Sequence, residues 1–353
     1  MISTNVSLFF INCSNTILIV PLQVHTNGSI YAIICLFLFS SGPIVFMNIG
    51  IIGVTYYYRK MHSPFNVLLA ITSFWDLLVG MFANVSMAVV LIMSVSMSHN
   101  CVLFLFTIFT FYAFGFLSFL TVSMTSFDRY FAVFQPFFYQ KHVDGNPRFY
   151  IKWNIIIATV VMLVTGFSFL TQNRVLCELF ILSISPILIP LVLYIHTQLH
   201  NRAKLVRRQI SAHNPNEYTS NEIKNAHQIN EIKIAEKKVT SDAKINSLTM
   251  MVYLSTCFAY FPILTLLYLW HLKKNSYLWS WTHTLYLWSS MLTMLKSLTN
   301  PTIYFYRSKV LRRSLRRMKV GQRVSNVLRT SKRPQEVRRT SDGQSIPTGL
   351  SVS

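Results

Sequence analysis

Residues 30–58, 101–127 and 245–272 contain no Asp, Glu, Lys or Arg at all. Each stretch exceeds the ~20 residues that an α-helix needs to cross the hydrocarbon core of a bilayer. Similar runs lie at 65–97, whose only charge is Asp76, and at 153–171, 179–199 and 276–306. In lipid the backbone has to satisfy its own hydrogen bonds, so continuous apolar runs of this length are helices. Strands of a membrane barrel are ~10 residues of alternating polarity, a pattern absent here. The spacing therefore predicts an all-α membrane protein built as a seven-transmembrane helix bundle. Pro43, Pro186, Pro190, Pro262 and Pro301 fall inside these runs. They are kinks in a membrane helix, whereas in a soluble protein they would end helices.

The net charge of +21 invites a nucleic-acid partner, and its placement argues against one. With the N-terminus outside, Arg174, Lys273 and Lys274 are external and Lys296 lies within a span, which leaves 28 of the 32 Lys and Arg in cytoplasmic segments. That is the positive-inside bias of a multi-pass membrane protein, here assigned to the plasma membrane. The partner implied is the lipid bilayer and no nucleic acid. The glycosylation sequons at Asn5, Asn12 and Asn27 agree, because acceptor asparagines must reach the lumenal side.

The chain divides accordingly. Residues 1–29 form an extracellular, glycosylated N-terminal segment without the basic start of a cleavable leader. Residues 30–306 are the seven-span domain. Residues 307–319 place Val310, Leu311, Leu315 and Met318 opposite basic residues, the pattern of an amphipathic cytoplasmic helix lying on an anionic leaflet. Residues 320–353 are a basic, Ser/Thr-rich tail with the composition of a disordered segment. Outer connections fall near 96–100, 172–178 and 273–275, and the longest inner one, 200–240, reads as an extension of the fifth and sixth helices.

Landmarks recur at definite depths. Asp128-Arg129-Tyr130 closes the third span, and Asn300-Pro301-Thr302-Ile303-Tyr304 closes the seventh. Asp76 is the acid of the second span, Asn48 lies in the first, and Trp153 opens the fourth. Pro186 is followed by Tyr194 in the fifth, and Pro262 marks the sixth. Together, over about residues 30–318, these resemble the rhodopsin-like family of G-protein-coupled receptors. The resemblance implies an extracellular ligand, a heterotrimeric G protein as partner, and arrestin recruited by a phosphorylated tail around Ser331, Thr340, Ser341, Ser345 and Thr348. It also implies a switch: Arg129 pairs with Asp128 and with Asp242 at the foot of the sixth span. Activation swings the sixth helix about Pro262, breaks that pair, and brings Tyr194 and Tyr304 inward. The alternative class, a multispan transporter or channel, would be expected to show internal repeats or several charges along a path. Enzyme chemistry finds no candidate: His196, His271 and His283 are scattered, and no metal spacing links them.

Family members commonly hold a sodium ion between the second-span acid and polar groups of the third and seventh spans. The matching residues are Asp76, Ser118, Ser297 and Asn300, but Lys296 stands where asparagine is usual. Lys296, Asn300 and Tyr304 are spaced i, i+4, i+8 and share one helix face. The expectation is that the Lys296 ammonium pairs with Asp76 and replaces sodium, leaving no cofactor or metal.

Retinal is excluded, since the resemblance puts its lysine at Met294. An amine-binding acid of the third span would stand at Phe111. Phe111, Tyr112, Tyr260, Phe261 and Tyr286 are the candidate ligand pocket. Glu178 is the sole outer acid against Arg174, Lys273 and Lys274, a balance that favours a neutral or anionic, lipid-like or small-peptide ligand. The resemblance implies a Cys101–Cys177 disulfide, although both cysteines are displaced from the usual positions; a Cys13 bridge, or none, stays open.

Overall fold

The computed structural model describes residues 7–13, 16–22, 27–57, 63–96, 98, 100–144, 146, 148–212, 222–272, 279–307 and 312–313. Side chains are described for these except at 7–22, 27, 174, 207, 209–212, 222–242, 272 and 279–284. An antiparallel hairpin comes first, β1 (Ser7–Cys13) and β2 (Thr16–Leu22), with Ser7 opposite Leu22 and Cys13 opposite Thr16. Residues 1–29 read as a plain segment in the sequence. Runs such as Phe9-Phe10-Ile11 and Ile17-Leu18-Ile19-Val20 carry the aromatic and β-branched residues that suit strands.

The first span is α1 (Asn27–Tyr57), with Pro43 inside it. The second begins as α2 (Pro64–Leu78), started by an extended Ser63 and by Pro64, whose missing N–H costs nothing at the first helical turn. It passes through one π-helical turn, Val79–Ala83, into α3 (Asn84–Val95). The third is α4 (Cys101–Phe134), whose start is capped by the Asn100 side chain accepting from the Leu103 N–H at 3.0 Å. A short helix, α5 (Pro136–His142), leads to the fourth span, α6 (Arg148–Leu170). The fifth is α7 (Arg174–Ala212) and the sixth α8 (Glu222–Leu272), each running well past the apolar stretch as the 200–240 composition suggests. The seventh is α9 (Trp279–Arg307), packed against α8 and α1.

Among the described residues, six helical stretches are long and apolar enough to cross a membrane by themselves. The remaining helix, α9, carries Lys296 and several Ser and Thr residues and completes a bundle of seven. Large side chains such as Phe39, Phe46, Ile187 and Phe258 point outward and stay exposed. In water that surface would be an aggregation hazard, whereas in a bilayer it meets lipid. The third span runs through the middle, with Leu117, Ser118, Phe119 and Thr121 among its buried residues.

Polar side chains tie the spans together. Trp75 Nε1 donates to Asn154 Oδ1 at 3.3 Å, and Asn154 Nδ2 donates to Thr121 Oγ1 at 3.0 Å, joining the second, third and fourth spans. The π turn takes one residue out of the ordinary hydrogen-bond ladder. There the Gly80 carbonyl accepts from Ser41 Oγ of the first span at 2.8 Å.

The fourth-to-fifth connection is shorter than the sequence suggests. Helix α6 ends at Leu170 and α7 starts at Arg174, so only 171–173 turn the chain. Gln172 takes a left-handed conformation (φ 54°), and Ser168 Oγ donates to the Asn173 carbonyl at 2.5 Å. A turn this tight pulls Cys177 and Glu178 into the helix and into the interior, both being buried. The expectation that Glu178 lies on an outer loop is thereby corrected. The amphipathic stretch 307–319 falls outside the described residues apart from Arg307, Arg312 and Arg313, and the tail 320–353 lies wholly outside them.

Candidate functional site

The second, third and seventh spans meet at Asp76, which has no solvent exposure. Helix α9 brings Lys296, Asn300 and Tyr304 inward on one face, all buried, because four-residue steps keep side chains in line. Lys296 Nζ lies 3.2 Å from Asp76 Oδ1 and donates to Ser118 Oγ at 2.6 Å. Ser118 Oγ in turn donates to Asp76 Oδ1 at 2.7 Å, and Ser297 Oγ donates to the same oxygen at 2.8 Å. Asn300 Nδ2 donates to Asp76 Oδ2 at 3.0 Å. Asn48 joins through the backbone, its Nδ2 donating to the Ser297 carbonyl at 3.1 Å. The carboxylate therefore receives three neutral donors and one cation, which is what burying a charge in a low-dielectric interior requires.

Tyr260 roofs this cluster. Its hydroxyl donates to the Gly115 carbonyl of the third span at 2.5 Å, and the Lys296 ammonium lies 5.6 Å from its ring centroid. At that distance the ring quadrupole attracts the cation. One side chain of the sixth span thus touches both the third-span backbone and the buried ion pair.

At the end of the third span Arg129 pairs with Asp128 through Nε at 2.7 Å and through a second guanidinium nitrogen. Tyr139 of α5 donates to Asp128 Oδ1 at 3.1 Å, and the guanidinium lies 5.1 Å over the Phe65 ring. Burial first, and then the Asp128 carboxylate, push the Tyr139 phenol well above its ordinary range, so it stays a donor at any physiological pH. The Asp242 side chain lies outside the described residues. Tyr130 is half-buried and stacks on Phe134, with ring centroids 4.9 Å apart. Pro301 is buried next to Asn300, and Tyr304 already sits inside the bundle. Tyr194 is 59 % exposed and faces outward in this state.

At the opposite end, Phe111 and Tyr112 are buried and meet edge to face, with ring centroids 5.4 Å apart. Tyr286 reaches them through a 3.3 Å contact between the two tyrosine hydroxyls. Phe261 does not belong with them. It is 70 % exposed, because it follows the inward-facing Tyr260 by ~100° of helix rotation and so points away from the bundle. The sequence reading missed Glu178 and His271, which join Tyr112 here. The available signal was the eight-residue spacing from Glu178 to Pro186, two helical turns rather than a loop.

The disulfide expectation is also corrected. Cys101 is disulfide-bonded, whereas Cys177 is a buried free thiol, as are the thiols of Cys35 and Cys257 free in their own spans. Cys177 enters the fifth helix because the preceding turn is so short. Non-reducing peptide mapping is expected to find Cys101 in a bridge that excludes Cys177, and the peptide holding Cys13 is the one to look for; a Cys101–Cys177 peptide would contradict the geometry. The side chains of Asn5, Asn12 and Asn27 lie outside the described residues. Among the described residues no group of three or more His, Cys, Asp or Glu is placed to hold a metal ion.

A sequence profile of the family described as "7 transmembrane receptor (rhodopsin family)" matches residues 47–304, most of the chain. No curated protein matches the chain.

Proposed function

The chain belongs to the rhodopsin family of seven-transmembrane receptors, and from that premise we propose that it is a plasma-membrane receptor which couples an extracellular ligand to a heterotrimeric G protein. The observation that carries this reading is the Asp128–Arg129 pair, held at the end of the third span by Tyr139 and Phe65. A buried guanidinium with movable partners is a two-state element. Released from Asp128, it becomes a donor for a protein docking at that end of the bundle. The basic segments 200–240 and 307–353 then face the cytosol and the N-terminus faces outward. A phosphorylated tail supplies the negative charge that recruits arrestin. Rhodopsin-family proteins are generally not enzymes, and signalling rather than catalysis is the activity proposed.

The test is expression at the surface of cells lacking other receptors for the same readout, with calcium and cyclic-nucleotide responses followed under a ligand screen. The expected result is basal or ligand-driven G-protein activation that Arg129→Ala abolishes at equal surface level. A signal untouched by that substitution would sink the reading.

Lys296 defines a second part of the proposal. The residues around Asp76 do not fit a sodium ion, because the ammonium already occupies the position against Asp76 Oδ1 and Ser118 Oγ. Lys296 is then a built-in counter-ion, and agonist or basal responses are expected to be indifferent to sodium. Lys296→Asn removes the ammonium and should create sodium sensitivity. Sodium dependence in the unaltered receptor would overturn this.

A further inference from the structure

At the end of the bundle away from Arg129, four spans converge on one carboxylate. Glu178 of the fifth span is 2 % exposed. The Tyr112 hydroxyl of the third span donates to its Oε1 at 3.1 Å and lies 3.3 Å from the Tyr286 hydroxyl of the seventh. Its Oε2 is 3.0 Å from His271 Nε2 of the sixth. Exposure is graded across the cluster: the His271 side chain is 23 % exposed and that of Glu178 only 3 %. Of the two, His271 is the partner nearer to the solvent-accessible surface.

The Asp76 network ties the second, third and seventh spans, and this second cluster brings in the fifth and the outer end of the sixth. An ionisable group at membrane depth is costly and marks a functional site by default. Phenol hydroxyls and an imidazole are donors that a stronger donor can displace from a carboxylate. An ammonium that donates to a carboxylate adds the Coulombic attraction of a full positive charge, which a neutral phenol or imidazole does not bring. The rings of Tyr112, Tyr286 and, edge-on to Tyr112, Phe111 supply aromatic surface, which attracts cations and packs against apolar bodies.

We propose that Glu178 is the recognition carboxylate for a small organic cation, an ammonium carried on an aromatic or alkyl body, which enters past His271 and seats against Tyr112 and Tyr286. The lack of an acid at Phe111 is no obstacle, because Glu178 reaches the neighbouring third-span residue from the fifth span. The cation takes over the Oε2 side held by His271 and so loosens the contact between the fifth and sixth spans. That is the movement a helix pivoting near Pro262 requires. The expectation of a neutral or anionic ligand rested on the basic excess of the outer loops, which the burial of Glu178 does not lessen; the carboxylate inside the bundle, rather than the loop charge, is what a seated ligand meets. The inference names the ligand class of the receptor proposed above and rests on that reading for its physiological meaning.

The test uses the purified full-length chain in lipid nanodiscs, with thermal unfolding as the readout. The probes are phenethylamine and 3-phenylpropionate, which share a ring and a two-carbon linker but carry opposite charges, together with methylamine and tetramethylammonium. The expected result is a rise of several degrees in the unfolding midpoint with saturating phenethylamine and none with 3-phenylpropionate. The amine shift is lost in Glu178→Gln. Equal shifts from amine and acid, a shift that survives E178Q, or no shift from any of the amines would overturn the proposal. Should E178Q fail to fold, His271→Ala decides beside the wild-type comparison: it vacates Oε2, the position the cation takes, and must enlarge the amine shift, whereas an unchanged or smaller shift would overturn the proposal. Binding to the purified chain does not involve a G protein. An amine that binds through Glu178 without any cellular response would count against the signalling reading and leave the site intact.

Discussion

Asp76→Asn, with Lys296 left in place, is expected to destabilise the purified receptor by about 3–5 kcal/mol, the usual cost of stranding one charge of a buried pair. The ammonium then faces a neutral amide, Ser118 and the Tyr260 ring without a carboxylate. Lys296→Met is expected to cost less. In that variant Asp76 keeps its donors from Ser118, Ser297 and Asn300, so the carboxylate remains solvated by the protein. The double variant D76N/K296M removes both charges and should recover much of the loss of D76N alone, because no unpaired ion remains. The buried thiol of Cys177 provides the measurement in a background with Cys35 and Cys257 replaced by Ala: its rate of labelling by a fluorescent maleimide on heating reports opening of the bundle. Equal losses in D76N and in the double variant would show that Lys296 and Asp76 do not depend on each other, and would remove the basis for a built-in counter-ion.

The second large effect lies at Gly80. A Cβ placed there would sit 2.7 Å from Ile44 Cγ2, with Ile44 Cβ at 3.2 Å and Val45 Cγ2 at 3.3 Å. None of these atoms is the free end of a flexible side chain, so Gly80→Ala has to push the first and second spans apart. Overpacking of this kind costs about 1–3 kcal/mol. Here it also disturbs the π turn whose carbonyl is held by Ser41. Close backbone approach at small residues is a main source of helix association in lipid. Gly80→Ala should therefore lower surface expression and thermal stability, and Ile44→Ala in the same chain should restore part of both. If G80A behaves as the unaltered receptor, the first and second spans pack less closely than the geometry states.

The spans were legible from the residues alone because membrane insertion is a one-dimensional problem. Length and polarity decide which segments become helices, with no reference to their neighbours. The inward face of the seventh helix was legible for a similar reason, since the spacing of Lys296, Asn300 and Tyr304 depends only on helical pitch. Other features depend on what lies across the gap between spans. Whether Phe261 faces ligand or lipid turns on the rotation of the sixth helix, and its neighbour Tyr260, bonded to Gly115, sets that rotation outward for Phe261. Whether Glu178 is a loop acid or an interior one turns on a connection of three residues, which hydropathy does not resolve.

The long apolar runs by themselves determined a membrane protein of seven helical spans, and the landmark residues placed it with the rhodopsin family. Tertiary structure decided which cysteine is bonded, which aromatic residues are interior, and that a carboxylate of the fifth span meets tyrosines of the third and seventh. The physical reason is one of range. Partitioning into lipid is a property of each segment, whereas a hydrogen bond between helices exists only when both have taken up their rotation and depth.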